Sequence, residues 1–301
     1  MDTVNAPETL WHYTDTNGLL GILSSKLLMA SSATYLNDAA ELSYGKSCLA
    51  DALYPIAERL GWRNHVDEPG YPIRQYAEAL SGKSLVGRRL SEIPETFIVS
   101  FCEEGDLLSQ WRGYSEGSGF ALGFNMREIK RHIDESRIPA KLGKVQYGDA
   151  SSRELFEPVI MDQLFRSSGL TQVDDVVTGD GRWDQFLDTP RFPQINVKEL
   201  LLEVGWCKHP AFEEEREWRL KANQTASVKV RARRGELLPY MEFPFPPAAL
   251  SEVRLGPGGN RELRVAAARH ALKQHGFTVA DSSTAESGGV RISWSSSPYR
   301  P

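Results

Sequence analysis

Two short apolar runs, Phe97–Phe101 (FIVSF) and Phe120–Phe124 (FALGF), do most to limit what this chain can fold into. Each is aromatic or β-branched at its ends and bounded by polar or glycine-bearing text, which reads as a buried strand. The text around Leu107–Gly113 keeps a helical spacing between them, so a sheet with a short inserted helix is expected here. Further strand candidates are Trp11–Thr14, Leu27–Ala30, SVKVRARRGE, LSEVRLGPGGN, Phe277–Ala280 and Val290–Trp294. A helix is expected after Asp15, which is placed to cap it, with Leu19, Leu20, Ile22 and Leu23 as its apolar face. Others are expected from Asp38, as cap, to about Leu60, over Ile73–Arg89, and over Arg261–His275. Strands scattered among helices without regular β–α alternation point to an α+β fold rather than a doubly wound sheet.

The chain has 301 residues, 41% of them hydrophobic, enough to bury a substantial core as a soluble globular protein. Lys plus Arg total 35 against 40 Asp plus Glu, a net charge of -5, so no global field draws it to nucleic acid or anionic membrane. Three cysteines, Cys48, Cys102 and Cys207, suit a reducing cytoplasm better than a disulfide framework or a Cys-rich zinc site. The opening MDTVNAPETLWHYT lacks a basic stretch followed by an apolar run, so no secretion signal is expected. No stretch approaches the roughly 18 apolar residues of a membrane span. The polar, acidic TQVDDVVTGDGRWD lies in what reads as a variable insertion.

Several residues are candidates for chemistry. In AFEEEREWRL, a helix would make Glu215 and Glu217 ordinary surface charges, whereas a strand would put Glu213, Glu215, Glu217 and Arg219 on one face. Two carboxylates side by side need cations, water or a function to offset their repulsion. His12 in LWHYT is either a hydrogen-bonded core residue or a catalytic one, and spacing does not choose. SQWRGYSEGSG sets Gln110, Trp111, Arg112 and Tyr114 ahead of a glycine-loosened turn, which suits either a pocket wall or a packed helix end. KVRARRGE aligns Lys229, Arg231 and Arg233 on one strand face, as phosphate contacts or as solvated charge. LGPGGN lacks the Lys-Ser/Thr of a nucleotide loop, and Cys207 with His209 lacks further metal ligands, so no metal site is expected.

Taken in order, LWHYTDTNGLLGIL, SSATYLNDAAE, FIVSFCEEGDLLSQWRGYSEGSGFALGF, KHPAFEEEREWRL and the closing WSSSPYR resemble the bacterial domain-of-unknown-function family 2971. That family is in turn remotely similar to the ADP-ribosyltransferase fold. The resemblance implies one domain over residues 1–301 with a split antiparallel sheet and helical insertions near 45–92 and 150–197. It implies NAD as substrate, with ADP-ribose passed to a protein or nucleic-acid acceptor or to water, in a bacterial defence or toxin setting such as phage defence. His12 matches the family's first-strand residue, Ser100 or Tyr114 the middle element, Glu217 the late glutamate, and Glu215 the preceding acid of an E-x-E pair. Tyr13 stands where related enzymes often have glycine or threonine. Under this reading Glu217 stabilises positive charge on the ribose, His12 holds a ribose hydroxyl, Tyr114 stacks on nicotinamide, Arg112 meets the pyrophosphate and Glu215 orients or deprotonates the acceptor. His12, Ser100 or Tyr114, and Glu217 are then expected in one pocket, with Arg112 facing it. The alternative is a non-enzymatic module on the same fold that binds a nucleotide or phage component.

Overall fold

The structure, a computed structural model, describes residues 6–35, 40–60, 70–83, 95–115, 118–168, 194–223, 227–233, 235–280 and 289–298. The first elements are β1 (Thr9–Thr14), α1 (Thr16–Ser25), β2 (Leu27–Ser32), α2 (Glu41–Arg59), α3 (Gly70–Leu80) and β3 (Thr96–Cys102). There follow α4 (Leu108–Tyr114), β4 (Phe120–Asn125), α5 (Met126–Ser136), β5 (Ala140–Lys144), β6 (Gln146–Tyr147), α6 (Gly148–Ser168) and α7 (Val197–Glu203). The last are β7 (Cys207–Lys208), β8 (Glu217–Asn223), β9 (Lys229–Arg233), β10 (Glu236–Pro244), β11 (Leu250–Leu255), α8 (Arg261–Gln274) and β12 (Arg291–Trp294).

The chain divides into two compact units, one of residues 1–35, 97–145 and 211–301, the other of 36–96 and 146–210. In the first unit, ten strands among the described residues form one sheet, in the order β12-β11-β4-β1-β3-β2-β10-β9, with β8 pairing both β3 and β5. The sheet is largely antiparallel, β11 and β12 being a parallel pair. The chain is therefore a mixed α and β protein, as its unalternated strands and helices imply. β1 runs its full length against β4, with His12 opposite Leu122, and meets β3 at Trp11 and Cys102. β3 passes on to β2 through Ser31 opposite Ile98.

Alternation along these strands sets the two sides of the sheet. Leu10, Phe97, Val99, Phe101, Leu122 and Phe124 turn to the main core, together with Trp218 and Leu220 from β8. Full burial of such a side chain stabilises the fold by roughly 2–3 kcal/mol. Trp11, Tyr13, Cys102 and Ala121, from the intervening positions, form a smaller apolar cluster with Trp111 of α4. α1 begins as its sequence dictates: the Asp15 carboxylate accepts from the Gly18 amide at 2.7 Å, and Leu19, Ile22 and Leu23 are buried. It ends at Lys26, whose φ of +59° turns the chain into β2 while its amide bonds to the Ile22 carbonyl.

The second unit is built of α2, α3, α6 and α7 around Leu49, Leu53, Phe156, Leu164, Leu200 and Trp206, with β6 and β7 as a short parallel pair. The stretches expected as insertions, 45–92 and 150–197, belong to this unit, though residues 61–69, 84–92 and 169–193 of them lie outside the described residues. The cap expected at Asp38, and TQVDDVVTGDGRWD, are outside them too. α2 starts at Glu41 after Ala40, which offers no capping side chain. α5, β5 and β10 have no counterpart in the sequence reading. α5 buries only Met126, Ile129 and Ile133 in an otherwise polar segment and is announced chiefly by Asn125, whose side chain caps the amides of Arg127 and Glu128.

Candidate functional site

β3 lies between the strand that carries His12 and the strand that carries Glu217, since it pairs with both β1 and β8. Three strands far apart in sequence thus lie side by side, each with one residue singled out from the sequence: His12 on β1, Ser100 on β3, Glu217 on β8. Their side chains do not all turn the same way. Leu10 faces the main core, so His12 shares its side, and the imidazole meets the Phe101 ring edge-on at 6.0 Å between centroids. Ser100 lies between core-facing Val99 and Phe101, and Glu217 precedes core-facing Trp218, so both turn away from that core.

His12 is held by its strand neighbour. Its Nδ1 lies 3.0 Å from the Ser100 carbonyl, which only accepts, so Nδ1 carries the proton and Nε2 is left as the acceptor. Burial lowers the pKa of this ring; the bond to the Ser100 carbonyl opposes that shift, and the positive charge of Arg231 adds to it. His12 is therefore a neutral, oriented imidazole.

Glu217 opens β8 rather than lying on a helix, and it is 5% exposed. Arg219, two residues along the same strand face and 1% exposed, grips it with both arms: Nε donates to Oε1 and Nη2 to Oε2, each at 2.8 Å. Lys221 continues that face and is also buried. The strand does not reach Glu215, which ends a 3-10 helix (Pro210–Glu215) and is half-buried, with Glu213 and Glu214 exposed. The shared strand face of Glu213, Glu215 and Glu217 is therefore not formed. Arg216 breaks it, adopting a left-handed φ of +43° between the helix and the strand. Sequence spacing had no way to announce a single residue of that conformation without a glycine or asparagine to mark it.

The SQWRGY segment is α4. Trp111 is fully buried against Tyr13, ring centroids 4.8 Å apart, and Gln110 is buried beside it, while Arg112 is exposed and Tyr114 partly so. Tyr13 uses its hydroxyl as a brace, donating to the Glu104 carbonyl at 2.8 Å and accepting from the Leu107 amide at 2.9 Å. Burial raises the pKa of that hydroxyl. Asp106, missed in the sequence, ties α4 to the closing WSSS. It accepts from Trp111 Nε1 at 2.9 Å, from the Ser296 amide and hydroxyl at 2.7 and 2.8 Å, and from the Ser295 hydroxyl. Arg264 of α8 likewise donates to the carbonyls of Gly256, Gly258, Ser118 and Gly119. An added Cβ at Gly119 would lie 2.3 Å from the Thr14 carbonyl, so the close approach of this turn to β1 requires glycine.

Asp15, Thr16 and Asn17 at the start of α1 line a polar cavity of about 140 Å³ with Ser115, Ser118 and Gly119. Its lining includes none of His12, Ser100, Tyr114 and Glu217. In LGPGGN, Gly258 and Gly259 take positive φ and Asn260 caps α8 through the Leu263 amide, so the loop serves as a helix entry. Lys229 pairs with Glu242 at 2.7 Å, and Arg231 donates to Ser31 Oγ at 3.1 Å. Among the described residues, no three His, Cys, Asp or Glu side chains stand together as a metal site, and no helix is long and apolar enough to cross a membrane.

The stretch from α4 to β8 carries a recognisable pattern. Residues 110–220 match the family described as Protein of unknown function (DUF2971). The matched stretch holds Gln110, Trp111, Arg112, Tyr114, Glu215, Glu217 and Arg219, while His12 and Ser100 precede it. No curated protein and no solved structure matches the chain.

Proposed function

We propose that this chain cleaves NAD between nicotinamide and ribose and passes the ADP-ribose to a macromolecule or to water, on a sheet of ADP-ribosyltransferase type. The observation that carries this reading is the adjacency of β1, β3 and β8, which gathers the first-strand histidine, the middle serine and the late glutamate onto three neighbouring strands. Ser100 and Glu217 turn to the same side, while the neutral His12 turns to the other and donates to the Ser100 carbonyl, so it supports the site by fastening β1 to β3 and does not touch the ribose that Glu217 faces.

In this reaction the bond from the ribose C1′ to the nicotinamide nitrogen breaks, and its electron pair leaves with the nitrogen and cancels the ring's positive charge. Positive charge grows on the sugar, where the buried carboxylate of Glu217 stabilises it. The acceptor bonds to C1′ from the opposite side and gives its proton to Glu215. Tyr114 stacks on nicotinamide and the exposed Arg112 takes the diphosphate. The test is release of nicotinamide from NAD, with and without added proteins and nucleic acids as acceptors. Wild type should turn over, and Glu217→Gln should lose about 10²-fold or more in kcat while still binding NAD. Arg112→Ala should lose NAD affinity without unfolding. Undiminished turnover by Glu217→Gln overturns the assignment.

A second reading has its own support in the Glu217–Arg219 pair, whose carboxylate already has a cation on both oxygens. A module that binds a nucleotide or a phage component without chemistry would keep that pair as internal structure. Binding of NAD with no nicotinamide release under any acceptor decides for it.

A further inference from the structure

The carboxylate proposed to face the ribose is held by a residue with no role so far. Arg219 meets both oxygens of Glu217 at 2.8 Å, and both side chains are almost wholly buried on one face of one strand. A buried ion pair is a poor way to stabilise a fold, because desolvating two charges cancels most of their attraction and an apolar pair of the same volume does as well or better. The opposite face of β8 shows that apolar alternative in Trp218 and Leu220. What a bidentate guanidinium adds is geometry: its planar fork fixes the carboxylate in a single orientation and keeps it ionised.

The backbone points the same way. Arg216, immediately before Glu217, is one of few non-glycine residues with positive φ among those described, and such strain gathers where a side chain must be aimed. Its conformation is locked from three directions: its amide bonds to the Glu213 carbonyl at 3.1 Å, its carbonyl accepts from the Glu103 amide at 3.2 Å, and its guanidinium pairs with Glu104 at 2.8 Å. The turn thus sets where β8 begins, and Arg219 sets where its first side chain points. We propose, resting on the reading of Glu217 above, that Arg219 is a positioning residue that holds the Glu217 carboxylate ionised and in one orientation toward the ribose.

The experiment measures kcat and KM for NAD, by nicotinamide release, in wild type, Arg219→Lys, Arg219→Gln, Glu217→Gln and the double variant Glu217→Gln/Arg219→Lys. Lysine keeps the charge but not the fork, so Arg219→Lys should lower kcat about tenfold with KM changed less than about twofold, and Arg219→Gln should lower it further. In the Glu217→Gln background, Arg219→Lys should change kcat no further, because it acts through that carboxylate. Where Arg219→Gln does not fold, Arg219→Lys decides alone. Arg219→Lys with wild-type kcat but a lower melting temperature overturns the positioning role and leaves Glu217 in place. Equal losses in both backgrounds overturn it as well. Turnover undiminished in Glu217→Gln, or absent in wild type, overturns the site reading and this role together.

Discussion

The Nδ1 of His12 donates to the carbonyl of Ser100 across 3.0 Å, a link between two strands whose residues stand 88 apart in sequence. It fixes the imidazole tautomer and fastens the first strand of the sheet to its middle one. The bond also gives His12 a role in the fold whether or not a ligand ever reaches it.

Because burial lowers the His12 pKa in the folded chain, the unfolded chain takes up its proton first as pH falls below the ordinary value of 6.5. Folded stability should then decline with acidity on account of this residue, by at most about 1.4 kcal/mol per pH unit. His12→Asn can still donate to the Ser100 carbonyl but does not titrate. At pH 7 it should be less stable than wild type by about 1–3 kcal/mol, and the gap should narrow between pH 6.5 and 5. Urea unfolding across that range measures it; a gap independent of pH would sink the idea.

Glu217→Gln removes one charge of a buried pair and leaves Arg219 without its counter-ion, which costs about 3 kcal/mol. The activity comparison therefore belongs well below the melting temperature, with circular dichroism confirming the fold. A stability loss under about 1 kcal/mol would mean that the pair is open to solvent, as surface ion pairs are.

Asp106 gathers four hydrogen bonds from Trp111, Ser295 and Ser296. Burial works to raise its pKa, but these donors outweigh it and hold the carboxyl below its ordinary value of 3.8. Its contribution should be present in full above that value and disappear as pH falls through the lower, folded one. Asp106→Asn should cost about 2 kcal/mol at pH 7, with the difference from wild type shrinking below pH 3.8. Tryptophan fluorescence in urea titrations, which reports on Trp111 among others, follows both.

Gly119→Ala would drive a Cβ into the Thr14 carbonyl, which sits on the backbone and cannot swing aside. A loss of about 2–3 kcal/mol is expected from differential scanning calorimetry, with Gly113→Ala, where an added Cβ meets nothing, as the neutral control. Equal melting temperatures for the two variants would contradict the close packing of this turn on β1.

FIVSF and FALGF became β3 and β4, LWHYT became β1, and Asp15 capped α1, because period, apolar content and cap chemistry are local properties written in adjacent residues. Arg261–His275 became α8 within one residue for the same reason. β10 and α5 went unread, since proline and glutamate interrupt the alternation of one and a polar surface dilutes the three buried residues of the other. Whether AFEEEREWRL was helix or strand depended on Arg216, where a left-handed turn held by Glu213, Glu103 and Glu104 splits the segment in two. Which strand would neighbour which, that Glu217 would be buried on Arg219, and that His12 and Ser100 would turn to opposite sides of the sheet and yet join through a carbonyl were decided by tertiary structure alone. Strand order, and with it the burial of the Glu217–Arg219 pair, is set by contacts between residues a hundred positions apart, whose free energy no local window of the chain contains.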